Sequence, residues 1–215
     1  MGWVTMQTTV PAGMARHWSA GRVIDSLRIV AAAAAHVCEW AAATEGRRRT
    51  ERVLRALDRA EWQVVDDVRV PQGGSVDHVV VGPCGIYVID SKAWRGVVTV
   101  DQKGATITPG GDPDAAWTAR GRHRSLPPAA AAVAHGLTVT TGGRTPAPCA
   151  VVVVWAPFPE RVAVSGGVTY VAGEHLAAWL AGQPRRLDPE RLAAVSAGAF
   201  PAPPALRATR VREPV

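Results

Sequence analysis

Short apolar runs bounded by turn residues recur along the chain and predict strands. The first, WQVVDDVRV (62–70), is closed by the turn signal PQGGS (71–75). Two more flank GPCG (82–85), and GVVTVD (96–101) follows as a fourth. CAVVVVWA (149–156) is almost continuously apolar, as a strand buried on both faces should be, and VTYVA (168–172) adds another. Helical spacing replaces alternation elsewhere. In RRRTERVLRALDRA (47–60), Thr50, Val53, Leu54 and Leu57 recur on one side and predict a buried stripe. An Ala-rich helix is expected before it, over 18–44, and two more at PAAAAVAHGL (128–137) and GEHLAAWLAG (173–182). Residues 101–125 are polar and turn-rich, which predicts a loop with a short strand. Residues 1–17 have no such pattern and are expected to be disordered, as is the basic, Pro-rich end of the 183–215 segment, which follows a C-terminal helix. The order helix, antiparallel strands, helix, strand, helix fits one α/β domain over 45–182, with a mixed central sheet and flanking helices.

The hairpin VDHVVVGPCGIYVIDSK (76–92) carries the chemistry. With Pro83-Cys84 at the centre of its turn, Val81 faces Ile86, Val79 faces Val88 and Asp77 faces Asp90. Side chains on one face repeat every second residue, so Asp77, Asp90 and Lys92 share a face with the four apolar residues between them. Directly opposed Cβ atoms lie about 4.5–5.5 Å apart, and like charges there destabilise the pair. Two such carboxylates left alone would force one to take up a proton. A divalent cation between them removes the conflict, and Mg²⁺ suits two carboxylates plus substrate phosphate. Lys92, one step beyond Asp90, can orient or help deprotonate a water, or stabilise charge on a phosphorane. Each residue alone has a plain structural reading, since Asp77 opens a strand, Asp90 closes one and Lys92 is an ordinary surface cation. Three of them on one face ask for a common role. His78 and Ser91 fall on the opposite face, which removes a Ser/Lys hydrolase pair and makes His78 structural.

Residues 44–96, TEGRRRTERVLRALDRAEWQVVDDVRVPQGGSVDHVVVGPCGIYVIDSKAWRG, resemble the nuclease-related domain, NERD, a family placed in the PD-(D/E)xK nuclease-like group. The resemblance rests on the small-Glu-Gly start of the helix, the Asp-His that opens the second strand, the Gly-Pro-x-Gly turn, and Asp-Ser-Lys followed by an aromatic and Gly. It implies a restriction-endonuclease-like core, Asp77 and Asp90 as ligands of Mg²⁺ or Mn²⁺, Lys92 as the catalytic lysine, and hydrolysis of DNA phosphodiester bonds. Two positions depart from the family. Gly-Glu in the first helix is here Gly46-Arg47, so the glutamate that completes the acidic site is missing. Glu51 lies one turn later, about 40° round the helix, and is the replacement candidate, with Glu45 behind it. The family glutamine of the following helix is also absent, where 128–137 offers alanines and His135. The alternative is therefore a degenerate NERD-like module that binds nucleic acid or a partner protein without cleaving.

Charge extends this picture. The net charge is +6 and the isoelectric point about 10.0, which favours polyanionic partners; the resemblance makes DNA the expected one, with RNA second. Arg48, Arg52 and Arg55 lie off the apolar stripe of their helix, and Arg120, Arg122 and Arg124 cluster in RGRHR. Both groups are candidate phosphate contacts as well as ordinary solvated faces. Trp94, just past Lys92, is a candidate for stacking a base. The three cysteines, Cys38, Cys84 and Cys149, form no ligand pattern and predict reduced thiols in a cytoplasmic protein. Residues 23–44 are broken by Asp25, Arg28, His36 and Glu39, so no membrane span is expected.

Overall fold

A hairpin with a two-residue turn sets the register on which the sheet is built. The computed structural model describes residues 41–70, 75–119, 125–141 and 145–199, and these elements belong to one compact unit that begins at Ala42. The disordered 1–17, most of the 18–44 helix, the RGRHR cluster and the chain from 200 onward are predictions that lie outside the described residues.

Helix α1 (41–54) leads into β1 (Gln63–Arg69), β2 (Ser75–Gly82) and β3 (Gly85–Lys92). β2 and β3 pair antiparallel, with Val81 opposite Ile86 and Val79 opposite Val88, in the register expected from the turn. β1 pairs antiparallel with the outer side of β2. The chain then leaves this sheet. β4 (Val97–Asp101), β5 (Gly104–Thr108) and the short β6 (Trp117–Thr118) make a separate three-stranded antiparallel sheet. The 101–125 segment thus holds two strands where one was expected, because Ala105 and Ile107 find an apolar surface that no local pattern announces. Helix α2 (Leu126–Thr141) returns the chain to β7 (Cys149–Val154), which pairs parallel with β3. β8 (Val162–Ser165) and β9 (Val168–Ala172) form a second hairpin, and β9 lies parallel to β7. The strand order is β1-β2-β3-β7-β9-β8, a mixed sheet as expected. β8 had no signal strong enough to predict it, being four residues at the sheet edge with Val164 exposed.

Alternation along the central strands divides the apolar residues between two faces. Val79, Val81, Ile86, Val88, Val152 and Val154 pack with α2, the small sheet and α4 (Pro189–Ala199). Val80, Tyr87, Ile89, Val151 and Val153 pack with α1 and α3 (Leu176–Ala181). β7 is buried on both faces, as its composition requires. The stripe of α1 is buried at Thr50, Leu54 and Leu57, while Arg48, Arg52 and Arg55 are exposed on its outer side. The segment after α3 docks on the hairpin turn, where the Pro83 carbonyl accepts from the N–H groups of Arg186 and Leu187. Cys84 and Cys149 are free thiols, and burial raises the Cys84 pKa. No helix of the described residues is long and apolar enough to cross a membrane.

Close packing at the end of the hairpin requires a glycine. A Cβ on Gly82 would lie 2.2 Å from Cε3 of the buried Trp62 ring. Gly82→Ala is expected to destabilise the protein by about 1–3 kcal/mol through overpacking. Gly136→Ala, in α2 with nothing within 4 Å of the added methyl, is expected to stabilise it by about 0.5–1 kcal/mol. Denaturant midpoints of the two variants check the opposite signs.

Candidate active site

Helix α1 is pinned across the carboxyl end of β3 by one hydroxyl. Thr50 is fully buried, and its Oγ1 donates to the Gly46 carbonyl at 3.1 Å, one turn back. The same oxygen accepts from Ser91 Oγ and from Trp155 Nε1, each at 2.8 Å. A hydroxyl has one proton and two lone pairs, so this one is fully used. Gly46 lets the helix approach closely, since a Cβ there would stand 3.3 Å from the Ala93 nitrogen. Ser91 in turn donates its backbone N–H to Asp77 Oδ2 at 2.8 Å. The residue expected to face away from the chemistry is therefore what orients its first carboxylate.

Continuing the β2–β3 register past His78–Ile89 sets Asp77 across from Asp90. The β1–β2 register, with Asp66 at His78 and Val68 at Val76, sets Asp67 across from Asp77. Three aspartates thus line up over three adjacent strands, and two cations answer them. Arg47 Nε is 3.1 Å from Asp77 Oδ1, and its Nη1 is 3.9 Å from Asp67. Lys92 Nζ is 2.5 Å from Asp90 Oδ2. Asp77, Asp90 and Lys92 are largely shielded, at 13%, 22% and 16% exposure of their side chains, while Arg47 is 44% exposed. Asp67 has φ 52°, in the left-handed region that a non-glycine residue seldom adopts.

The structure thus brings Asp77, Asp90 and Lys92 together and does not bring Glu51 to them. The Glu51 carboxylate is paired with Arg55 on its own helix. It lines a groove of about 490 Å³ between α1 and β1 with Leu54, Trp62 and Asp66. The 40° offset decides this, because it carries Glu51 toward β1 while the family position, Arg47, reaches Asp77. Glu45 is paired with Arg49 at 3.9 Å. Arg48, Arg52 and Arg55 stand exposed along α1. Trp94 is half-buried and packs edge-on against Trp117, with centroids 6.4 Å apart. Arg120, Arg122 and Arg124 fall outside the described residues. His78 is fully buried on the α1 side, with Nδ1 2.6 Å from Asp66 Oδ1 and no partner for Nε2. Two participants were missed, Asp67 and the Arg47 contact. Asp67 could have been found by extending the pairing to β1, but its turn-linked register has no signal as strong as Gly-Pro-Cys-Gly.

Among the described residues no group of three or more His, Cys, Asp and Glu side chains is disposed to hold a metal ion. Two aspartate oxygens on one face are nonetheless the hard donors that Mg²⁺ accepts when water and phosphate complete its shell. Asp77 Oδ2 accepts from Ser91, which leaves Oδ1 with more free acceptor capacity, and that is the atom against which Arg47 lies. The donors fit, and Arg47 competes for one of them.

No curated protein and no solved structure matches the chain. Residues 42–136, from α1 through most of α2, match the nuclease-related domain, NERD, the family to which the hairpin motif points.

Proposed function

We propose that this protein is a metal-dependent nuclease that hydrolyses DNA phosphodiester bonds. The observation that carries the reading is the grouping of Asp77, Asp90 and Lys92 at one end of the hairpin whose residues carry the family resemblance. Asp77 and Asp90 would hold the ion, which when bound supplies Lewis acidity and an activated water. Asp77 is oriented for this by the Ser91 N–H, which fixes one oxygen and leaves the other. Lys92 stands against Asp90, and from there its ammonium would stabilise negative charge on the phosphorus oxygens and orient the attacking water. Exposed Arg48, Arg52 and Arg55 on α1 would contact the backbone without reading sequence.

One observation favours a second reading, a module that binds nucleic acid or a partner protein without cutting. Arg47 adds a positive charge at the place where the family has a negative one, and it lies on Asp77. The two readings differ in whether an ion displaces the guanidinium from Oδ1.

With Mg²⁺ or Mn²⁺ the protein is expected to nick supercoiled plasmid, and Asp90→Ala and Lys92→Ala to slow that reaction about a hundredfold or more. A wild type that binds DNA in a salt-sensitive way but leaves it uncut, with binding unchanged in both variants, would establish the second reading instead. Arg47→Glu removes the competing cation and restores the family acid. A unit charge near a surface acts on another about 4 Å away with a few kcal/mol. Calorimetric titration with Mn²⁺ should therefore show affinity rising about tenfold or more in Arg47→Glu, and equal affinities would exclude competition at Asp77.

A further inference from the structure

β3, β7 and β9 run parallel, and their carboxyl ends lie at Lys92, Val154 and Ala172. In open α/β sheets the crevice outside the carboxyl ends of parallel strands is a usual place for ligands. A cavity of about 590 Å³ opens there, beside the acidic cluster but built from other residues. Its apolar wall comes from Trp155, Pro157, Phe158 and Ala172, and its polar lining includes Arg49, Arg161 and His175.

The Arg49 side chain and the Arg161 backbone are held in place before any ligand arrives. Arg49 lies over the Trp155 ring with Cζ 4.7 Å from the centroid. That ring is itself fixed, because Nε1 donates to Thr50 and Gly173 is the only residue type that fits under its face, an added Cβ meeting Cδ2 at 2.4 Å. Arg161 sits at φ 59°, a left-handed conformation that an arginine adopts only at a cost. It is locked by its N–H to the Phe158 carbonyl at 3.1 Å and by its carbonyl to the Ala172 N–H at 2.7 Å. Arg161 and Asp67 are the two non-glycine residues with positive φ among the described residues, and both border the carboxyl end of the sheet. Arg161 has no ion-pair partner among the described residues. Glu174 and Arg161 are both exposed at the rim and are screened alike, while the half-buried Arg49 is 3.9 Å from Glu45, so a phosphate would have to draw Arg49 from that loose pair.

We propose that this cavity is a phosphate-ester subsite, in which Arg49 and Arg161 grip the phosphate and the Pro157–Phe158–Ala172 wall receives the sugar. The phosphate belongs either to a free nucleotide or to a nucleic-acid strand passing the Asp77–Asp90 cluster, and the two share the same chemistry here. Guanidinium groups suit phosphate because their planar donors can bond two oxygens at once. The subsite does not depend on cleavage at the acidic cluster.

The test is titration of Lys92→Ala protein, which removes the candidate catalytic lysine, with deoxyadenosine 5′-monophosphate and with a 5′-phosphorylated single-stranded decanucleotide. Heat of binding and the Trp155 indole N–H shift are the readouts. Arg161→Gly in that background deletes the guanidinium at a φ that glycine adopts freely, so the loop keeps its conformation. It is expected to weaken mononucleotide binding about tenfold, the loss of one charge-assisted contact, with Arg49→Ala acting similarly. Arg186→Ala, beside the hairpin turn at the other end of β2 and β3, should leave binding unchanged. Equal weakening for the decanucleotide identifies the ligand as a strand phosphate, and weakening confined to the mononucleotide identifies a free nucleotide. Absence of mononucleotide binding, or equal affinity in the Arg161→Gly protein, overturns the proposal. Failure of plasmid cleavage by the wild type would bear on Lys92 and Asp90 and leave this result standing.

Discussion

The buried hydroxyl of Thr50 is the joint between the helix and the sheet. It is bonded to its own helix at Gly46, to β3 at Ser91 and to the end of β7 at Trp155. An unsatisfied buried hydroxyl or indole N–H would cost about 1–3 kcal/mol, so each of the three bonds favours the same placement of α1. Through Ser91 the network reaches Asp77, and through Trp155 it reaches the cavity where Arg49 lies. One turn of α1 thus sends Arg47 to one side of β3 and Arg49 to the other. The acidic cluster and the basic cavity are two consequences of a single docking geometry.

Electrostatics at the hairpin follow from the same placement. Three aspartates on adjacent strands would repel strongly if nothing answered them. The chain supplies Arg47 beside Asp67 and Asp77 and Lys92 beside Asp90, which offset that repulsion. The cation at position 47 therefore bears directly on Asp77, on a backbone whose register the hairpin sets.

Much of this was legible in the chain because it is local. The hairpin register follows from a two-residue turn and from alternation with period two, and both act within about twenty residues. The α1 stripe follows from 3.6-residue spacing in the same way, as does the double burial of β7 from its unbroken valines. Elements whose partners are distant were harder to read. β5, β6 and β8 are short, and their pairing is supported by surfaces contributed from elsewhere in the chain.

The sequence by itself determined that Asp77, Asp90 and Lys92 share one face of a hairpin, since the pleat alternates whatever surrounds it. It determined as well that a cation, Arg47, follows Gly46 in the first helix. Only the tertiary structure decided that this cation lies on Asp77, that Glu51 turns to Arg55, and that Arg49 and Arg161 meet at one cavity. Those outcomes depend on where α1 crosses the sheet and where the 155–161 loop ends. Both are set by packing between residues about a hundred positions apart, such as the Thr50–Trp155 bond, which no periodicity in the chain encodes.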